Sequence, residues 1–115
     1  MDLETSSDNF TNAILFMQSM LNMNCTNEFV VTLLYHAPTA LIKALAELSI
    51  NYLRNDTLQL DQTCKRKLKK HETILNALIS RKVSNIDKRL YLAERGKTLL
   101  IDLLYIYHNC FPPQM

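Results

Sequence analysis

The chain has 115 residues, 48% of them hydrophobic, and a formal net charge of +2. That composition excludes wholesale disorder and is enough to bury a core without metals or disulfides. The single glycine, Gly96, excludes folds that consume glycine at positive φ, such as hairpin-rich sheets and phosphate loops. Three cysteines, Cys25, Cys64 and Cys110, are odd in number and widely spaced, which is unlike a disulfide framework and fits a reducing compartment. The small net charge hides an asymmetry. Residues 1–62 carry two basic and seven acidic side chains, a balance of −5, whereas residues 63–115 carry eleven basic and four acidic ones, a balance of +7.

Residues 1–9 are polar and are expected to fray, ending in the cap formers Ser6, Ser7, Asp8 and Asn9. Phe10, Ile14, Met17 and Leu21 then recur at the spacing of one helical stripe. Asn22 to Asn27 reads as a break, and Phe29 to Tyr35 as a short helix. Pro38 suits the first turn of the next helix, where its missing N–H is not needed. Leu41, Leu45, Leu48 and Tyr52, widened by Ile42, Ala46 and Leu53, give that helix a face broad enough for a central position. Asn55-Asp56-Thr57 reads as a turn, and Leu58 and Leu60 as anchors of the following loop. Asp61 can cap a helix whose inward stripe is Cys64, Leu68, His71, Leu75 and Leu78. Ser84 and Asp87 have capping-box spacing and open a helix through Ile86, Leu90 and Ala93. Gly96 stands where a helix would take a left-handed C-cap. Leu99, Leu100, Leu103, Leu104 and Tyr107 form a last apolar helix, stopped by Pro112-Pro113. The expected fold is all-α: a single small bundle of about five short helices over residues 10–111, with tails at 1–9 and 112–115.

The candidate nucleic-acid-binding residues are the cations Lys65, Arg66, Lys69, Lys70, Arg81, Lys82, Lys88, Arg89, Arg95 and Lys97, which recur along consecutive helices. Tyr91 is the one aromatic residue among them, so stacking on exposed bases is not indicated and DNA contact would be sequence-nonspecific. The bland reading is a set of solvated helix faces. A second group of candidates, Leu99, Leu103, Tyr105, Tyr107 and Phe111, offers apolar and aromatic anchors for a partner protein or a second copy. Met17, Met20 and Met23 on the first helix read mainly as packing. Cys64 and His71, or His108 and Cys110, lack the paired close spacing of a structural zinc site, so no metal is expected. No G-x-S-x-G, phosphate loop or H-E-x-x-H occurs, and Glu47 and Asp102 read as lone acids, either outward-facing or paired with a buried cation. The expectation is therefore no enzyme, no cofactor and no small-molecule substrate. No apolar run reaches the length of a membrane span. The polar start is no signal peptide, so an intracellular location is expected and secretion is not.

The pattern Leu41-x-x-Ala44-Leu45-x-Glu47-x-x-x-Asn51-x-Leu53, followed by Leu58-x-Leu60, Lys65-x-Lys67-Leu68-x-Lys70-His71, Lys82-x-Ser84, Lys88-Arg89-x-x-Leu92, Arg95-Gly96 and Leu99 to Leu104, resembles a family of small basic proteins. These are encoded by Maverick/Polinton-type mobile elements and the related adintoviruses, and some members look like the small basic core protein of adenoviruses. The resemblance covers roughly residues 37 to 106. It departs at Lys97, where the family usually has a second glycine, and at Asp102, which interrupts the apolar tail. The resemblance implies a viral or mobile-element origin and a location in a host nucleus or virion. Two functions follow as expectations. One is a non-enzymatic structural protein that binds DNA or an acidic virion component through a basic surface. The other is a helical adaptor that binds virion proteins or a second copy of itself.

Overall fold

The computed structural model describes residues 5–54 and 60–110, with side chains from residue 9 onward. Seven helices and no strands occur among them: α1 (Thr5–Asn22), α2 (Asn27–Tyr35), α3 (Thr39–Arg54), α4 (Gln62–Lys70), α5 (Glu72–Ile79), α6 (Asn85–Arg95) and α7 (Lys97–Cys110). The all-α expectation holds, and the number of helices is larger than expected for a local reason. The stripe from Cys64 to Leu78 does face inward, but His71 adopts φ −106° and ψ 8° and divides the segment into α4 and α5. At the other end of the chain, α1 starts at Thr5, so helix takes in residues read as a frayed tail. Asn55-Asp56-Thr57, Leu58, Phe111 and the 112–115 tail lie outside the described residues.

Local sequence sets the junctions. Asn24 closes α1 with φ 56°, a conformation that asparagine tolerates better than most side chains. Thr26 Oγ1 accepts the Phe29 N–H at 3.1 Å and starts α2. Asp61 Oδ1 accepts the Cys64 N–H at 2.8 Å and starts α4, and Ser84 Oγ accepts the Asp87 N–H at 3.1 Å and starts α6. Each satisfies an amide that the first turn of a helix leaves without an intrahelical partner. Gly96, with φ 61° and ψ −140°, lies outside the left-handed helical basin and in territory open mainly to glycine.

Two helices organise the interior. α7 buries Leu99, Leu100, Leu103, Leu104 and Ile106 and packs against α1, α2, α4 and α6. α3 buries Ile42, Ala44, Leu45, Leu48 and Tyr52 and packs against α1, α5 and α6. The Tyr52 hydroxyl joins the two by donating to the Leu103 carbonyl at 2.8 Å; burial, with smaller electrostatic contributions from neighbours, pushes that hydroxyl's pKa far up. Ile14 and Met17 of α1 are buried as their spacing suggests, together with Ala13 and Met20. Of Ile86, Leu90 and Ala93, the residues expected along α6, only Ala93 packs on the core. Ile86 and Leu90 are exposed at 69% and 44%, and Leu92 is the fully buried residue. The inward side of α6 consists of buried Leu92 with half-buried Lys88, Arg89, Ala93 and Arg95 around it, and both arginines end on backbone carbonyls.

Candidate nucleic-acid interface

In α4, residues three and four apart share a face. Cys64, Leu68 and His71 point inward, Lys67 and Lys70 flank that stripe, and Lys65, Arg66 and Lys69 face solvent. The flank meets Asp102, which α7 places inside the protein at 5% exposure. Lys67 Nζ donates to Asp102 Oδ1 at 3.0 Å, Lys70 Nζ to Oδ2 at 3.4 Å, and His71 Nε2 lies 2.8 Å from Oδ2. An ionised carboxylate only accepts, so the proton sits on His71 Nε2. His71 Nδ1 is buried without a partner, which a bare acceptor tolerates better than a second N–H would. Burial drives the His71 pKa below its ordinary value of 6.5, helped by the charges of Arg95 and Lys70 and opposed by the bond to Asp102. Burial alone would raise the Asp102 carboxyl. The hydrogen bonds from His71 and Lys67 and the charges of Lys67 and Lys70 overcome it, leaving the pKa below 3.8. A neutral imidazole, an ionised carboxylate and two ammonium groups therefore clamp α4 to α7. Lys67 Nζ also stands 4.9 Å from the centre of the Tyr105 ring, a cation–π distance.

The ten predicted cations divide into two sets. Four are tied into the fold. Lys70 is bound to Asp102, and Arg89 Nε donates to the Ala37 carbonyl at 2.7 Å, where α2 gives way to α3. Arg95 Nη1 reaches the Lys70 carbonyl at 3.4 Å, and Lys97 Nζ donates to the Cys25 carbonyl at 2.8 Å. The other six, Lys65, Arg66 and Lys69 on α4 and Arg81, Lys82 and Lys88 at and after the α5–α6 turn, make no ion pair among the described residues. Arg81 and Lys88 line a groove of about 350 Å³ between α3, α5 and α6, with Lys43 and the carboxylate of Glu47 on the α3 side and Ile42, Ala46 and Leu78 also on its wall. Lys65 and Lys69 line a second recess with Leu53 and the carboxylate of Glu72. Leu53 follows Ile50 of the first groove by about one helical turn, so both recesses open along one side of α3.

Sequence reasoning missed Lys43, which lies in the acidic half of the chain and reaches the groove only because α3 packs on α5. It also left out Lys67, which no local signal separates from its exposed neighbours. The alternative docking residues fare differently. Leu99 and Leu103 are 0% and 1% exposed and belong to the core, because α7 is surrounded by four helices; they offer no surface to a partner in this fold. Tyr107 is half-buried against Phe10, with ring centres 6.0 Å apart. Tyr105 is partly exposed beneath Lys67, and Phe111 lies outside the described residues. Ile101 on α7 is exposed like Tyr105, and further exposed apolar side chains include Phe29 and Tyr35 on α2 and Ile86, Leu90 and Tyr91 on α6. No single helix among the described residues is long and apolar enough to cross a membrane. Compared with protein-family models, curated proteins and solved structures, the chain matches none.

Proposed function

We propose that the protein is a non-enzymatic structural protein of a virus or mobile element that binds nucleic acid, or an acidic component of a virion, through a basic surface. The observation that carries this reading is the set of six cations, Lys65, Arg66, Lys69, Arg81, Lys82 and Lys88, that make no ion pair among the described residues. Glu47 shares a recess with Lys43, Arg81 and Lys88, and Glu72 one with Lys65 and Lys69, but among the described residues the acid in ion-pair contact with cations is Asp102, from the basic half itself. The viral or mobile-element origin rests on the resemblance between residues 37 and 106, and the nucleic-acid role on charge. Since Tyr91 is the one aromatic side chain among these cations, stacking adds little and the binding is electrostatic and indifferent to sequence.

Replacing Lys65, Arg66 and Lys69 together with alanine tests this directly, because all three are exposed and none holds the fold together. Affinity for random duplex DNA is expected to fall, and the log–log salt slope to become shallower by about 3, close to 0.9 per lost phosphate contact. Unchanged affinity would overturn the reading.

One observation favours a second reading, a homo-oligomeric adaptor. Tyr35 and Ile86 line a common depression of about 480 Å³ between α2 and α6, next to further exposed apolar side chains on both helices. A dimer in size-exclusion mass measurements, lost on Ile86→Asp and Tyr35→Asp substitution, would support it. A strict monomer would exclude it.

A further inference from the structure

The sulfur atoms of Cys64 and Cys110 lie 2.8 Å apart, although 46 positions separate the two residues in sequence. The packing of α4 on α7 brings them together. Cys64 sits in the first turn of α4, held there by the Asp61 cap, and Cys110 is the last residue of α7. Both are reduced; Cys64 is buried and Cys110 is half-buried. A disulfide bond length of about 2.05 Å is reached by a shift of less than about 1 Å, well within side-chain rotation. Cys25, at the α1–α2 junction, takes no part in the pair.

We propose that Cys64 and Cys110 form an intramolecular disulfide by thiol–disulfide exchange with a small disulfide of the glutathione class, stapling the first turn of α4 to the last turn of α7. Cys110, the more accessible thiol, loses its proton and attacks one sulfur of the oxidant. The oxidant's S–S bond breaks and one thiolate leaves. Cys64 then gives up its proton to solvent and attacks Cys110 Sγ in the mixed disulfide, expelling the second thiolate. Two protein thiols are oxidised, with loss of two electrons and two protons, and the oxidant is reduced to two thiols. Burial above all, then the hydrogen bonds to Cys110 and Asp61, pushes the Cys64 thiol up to about 12. Cys64 is therefore the resolving partner, and ring closure is the slow step, accelerating as pH rises. The staple closes a loop of some 46 residues and restricts the unfolded chain far more than the folded one. It also fixes the helix that presents Lys65 and Arg66. The inference does not depend on what those cations bind.

The test is incubation of the whole native protein with excess glutathione disulfide, followed by alkylation, peptide mapping and thermal melts with and without dithiothreitol. Expected are the loss of two of three titratable thiols, a single Cys64–Cys110 cross-link with Cys25 alkylated, and a dithiothreitol-reversible rise in Tm on the order of 10 °C. In Cys110→Ser both the cross-link and the rise should be absent. Three thiols still titrating, a bridge that includes Cys25, bridges only between molecules, or a glutathione adduct on Cys110 that never closes would each overturn the proposal.

Discussion

Asp102 is where the polar interior converges, and the behaviour of single residues is best judged there. Its carboxylate receives three donors from the end of α4 and its junction with α5, and none of the three has another anionic partner among the described residues. Asp102→Ala would leave the buried imidazole N–H unpaired and two ammonium groups facing each other. A loss of about 3 kcal/mol is expected, at the lower end for broken buried pairs because Lys67 and Lys70 remain partly hydrated; denaturant unfolding would measure it. The pH dependence has a definite sign. His71 is held below 6.5 in the folded protein, so below that pH the unfolded chain takes up a proton that the folded one refuses, and stability falls as pH falls. Asp102, held below 3.8, adds a loss in the same direction at more acid pH. Tm is expected to decline as pH drops below about 6.5 and to decline less steeply in that range in His71→Gln. A Tm that rises on mild acidification would mean that His71 is an imidazolium paired with Asp102.

At the scale of elements, caps and stripes were legible in sequence wherever the signal was local. Asp61 and Ser84 need only the residues that follow them, and their side chains accept the amides that the motifs imply. Ser84→Ala is expected to cost about 1 kcal/mol in thermal or denaturant unfolding. The inward side of α6 was legible only in part: Ala93 packs on the core, but Ile86 and Leu90, more apolar than Lys88 and Arg89, are exposed, while the arginine finds the Ala37 carbonyl. Tertiary partners chose the face, and no window of α6 contains them. Gly96 lies between these cases. Its isolation in a glycine-poor chain marks a special backbone position, but the reason it must stay small comes from α2. An added Cβ would stand 2.6 Å from Asn27 Oδ1 and 3.0 Å from Val31 Cγ2, and Asn27 Oδ1 accepts the Lys97 N–H at 2.9 Å where α7 begins. Gly96→Ala is expected to cost about 2–3 kcal/mol through positive φ and the displaced cap, seen as a lowered Tm with an otherwise unchanged helical spectrum. Leu99 and Leu103 show the opposite limit of sequence reading. An apolar helix near the end of a chain reads equally well as a docking surface or as a core helix, and the packing of α7 against four neighbours decides for the core.

For the whole molecule, the charge asymmetry read from sequence survives folding in reduced form. The fold diverts Lys67 and Lys70 to Asp102 and Arg89, Arg95 and Lys97 to backbone carbonyls, and it adds Lys43 from the acidic half to the Arg81–Lys88 groove. Six of the ten predicted cations are left, with Lys43, to meet an anionic partner, which sets an upper limit on the strength and salt dependence of binding. The measurement that tests this most directly is a salt titration of wild-type protein on random duplex DNA. Binding that is tight at about 50 mM salt and collapses by about 200 mM is expected, with a log–log slope no steeper than about −6, from 0.9 per phosphate contact over those six cations and Lys43. No binding at low salt, or affinity indifferent to salt, would contradict it.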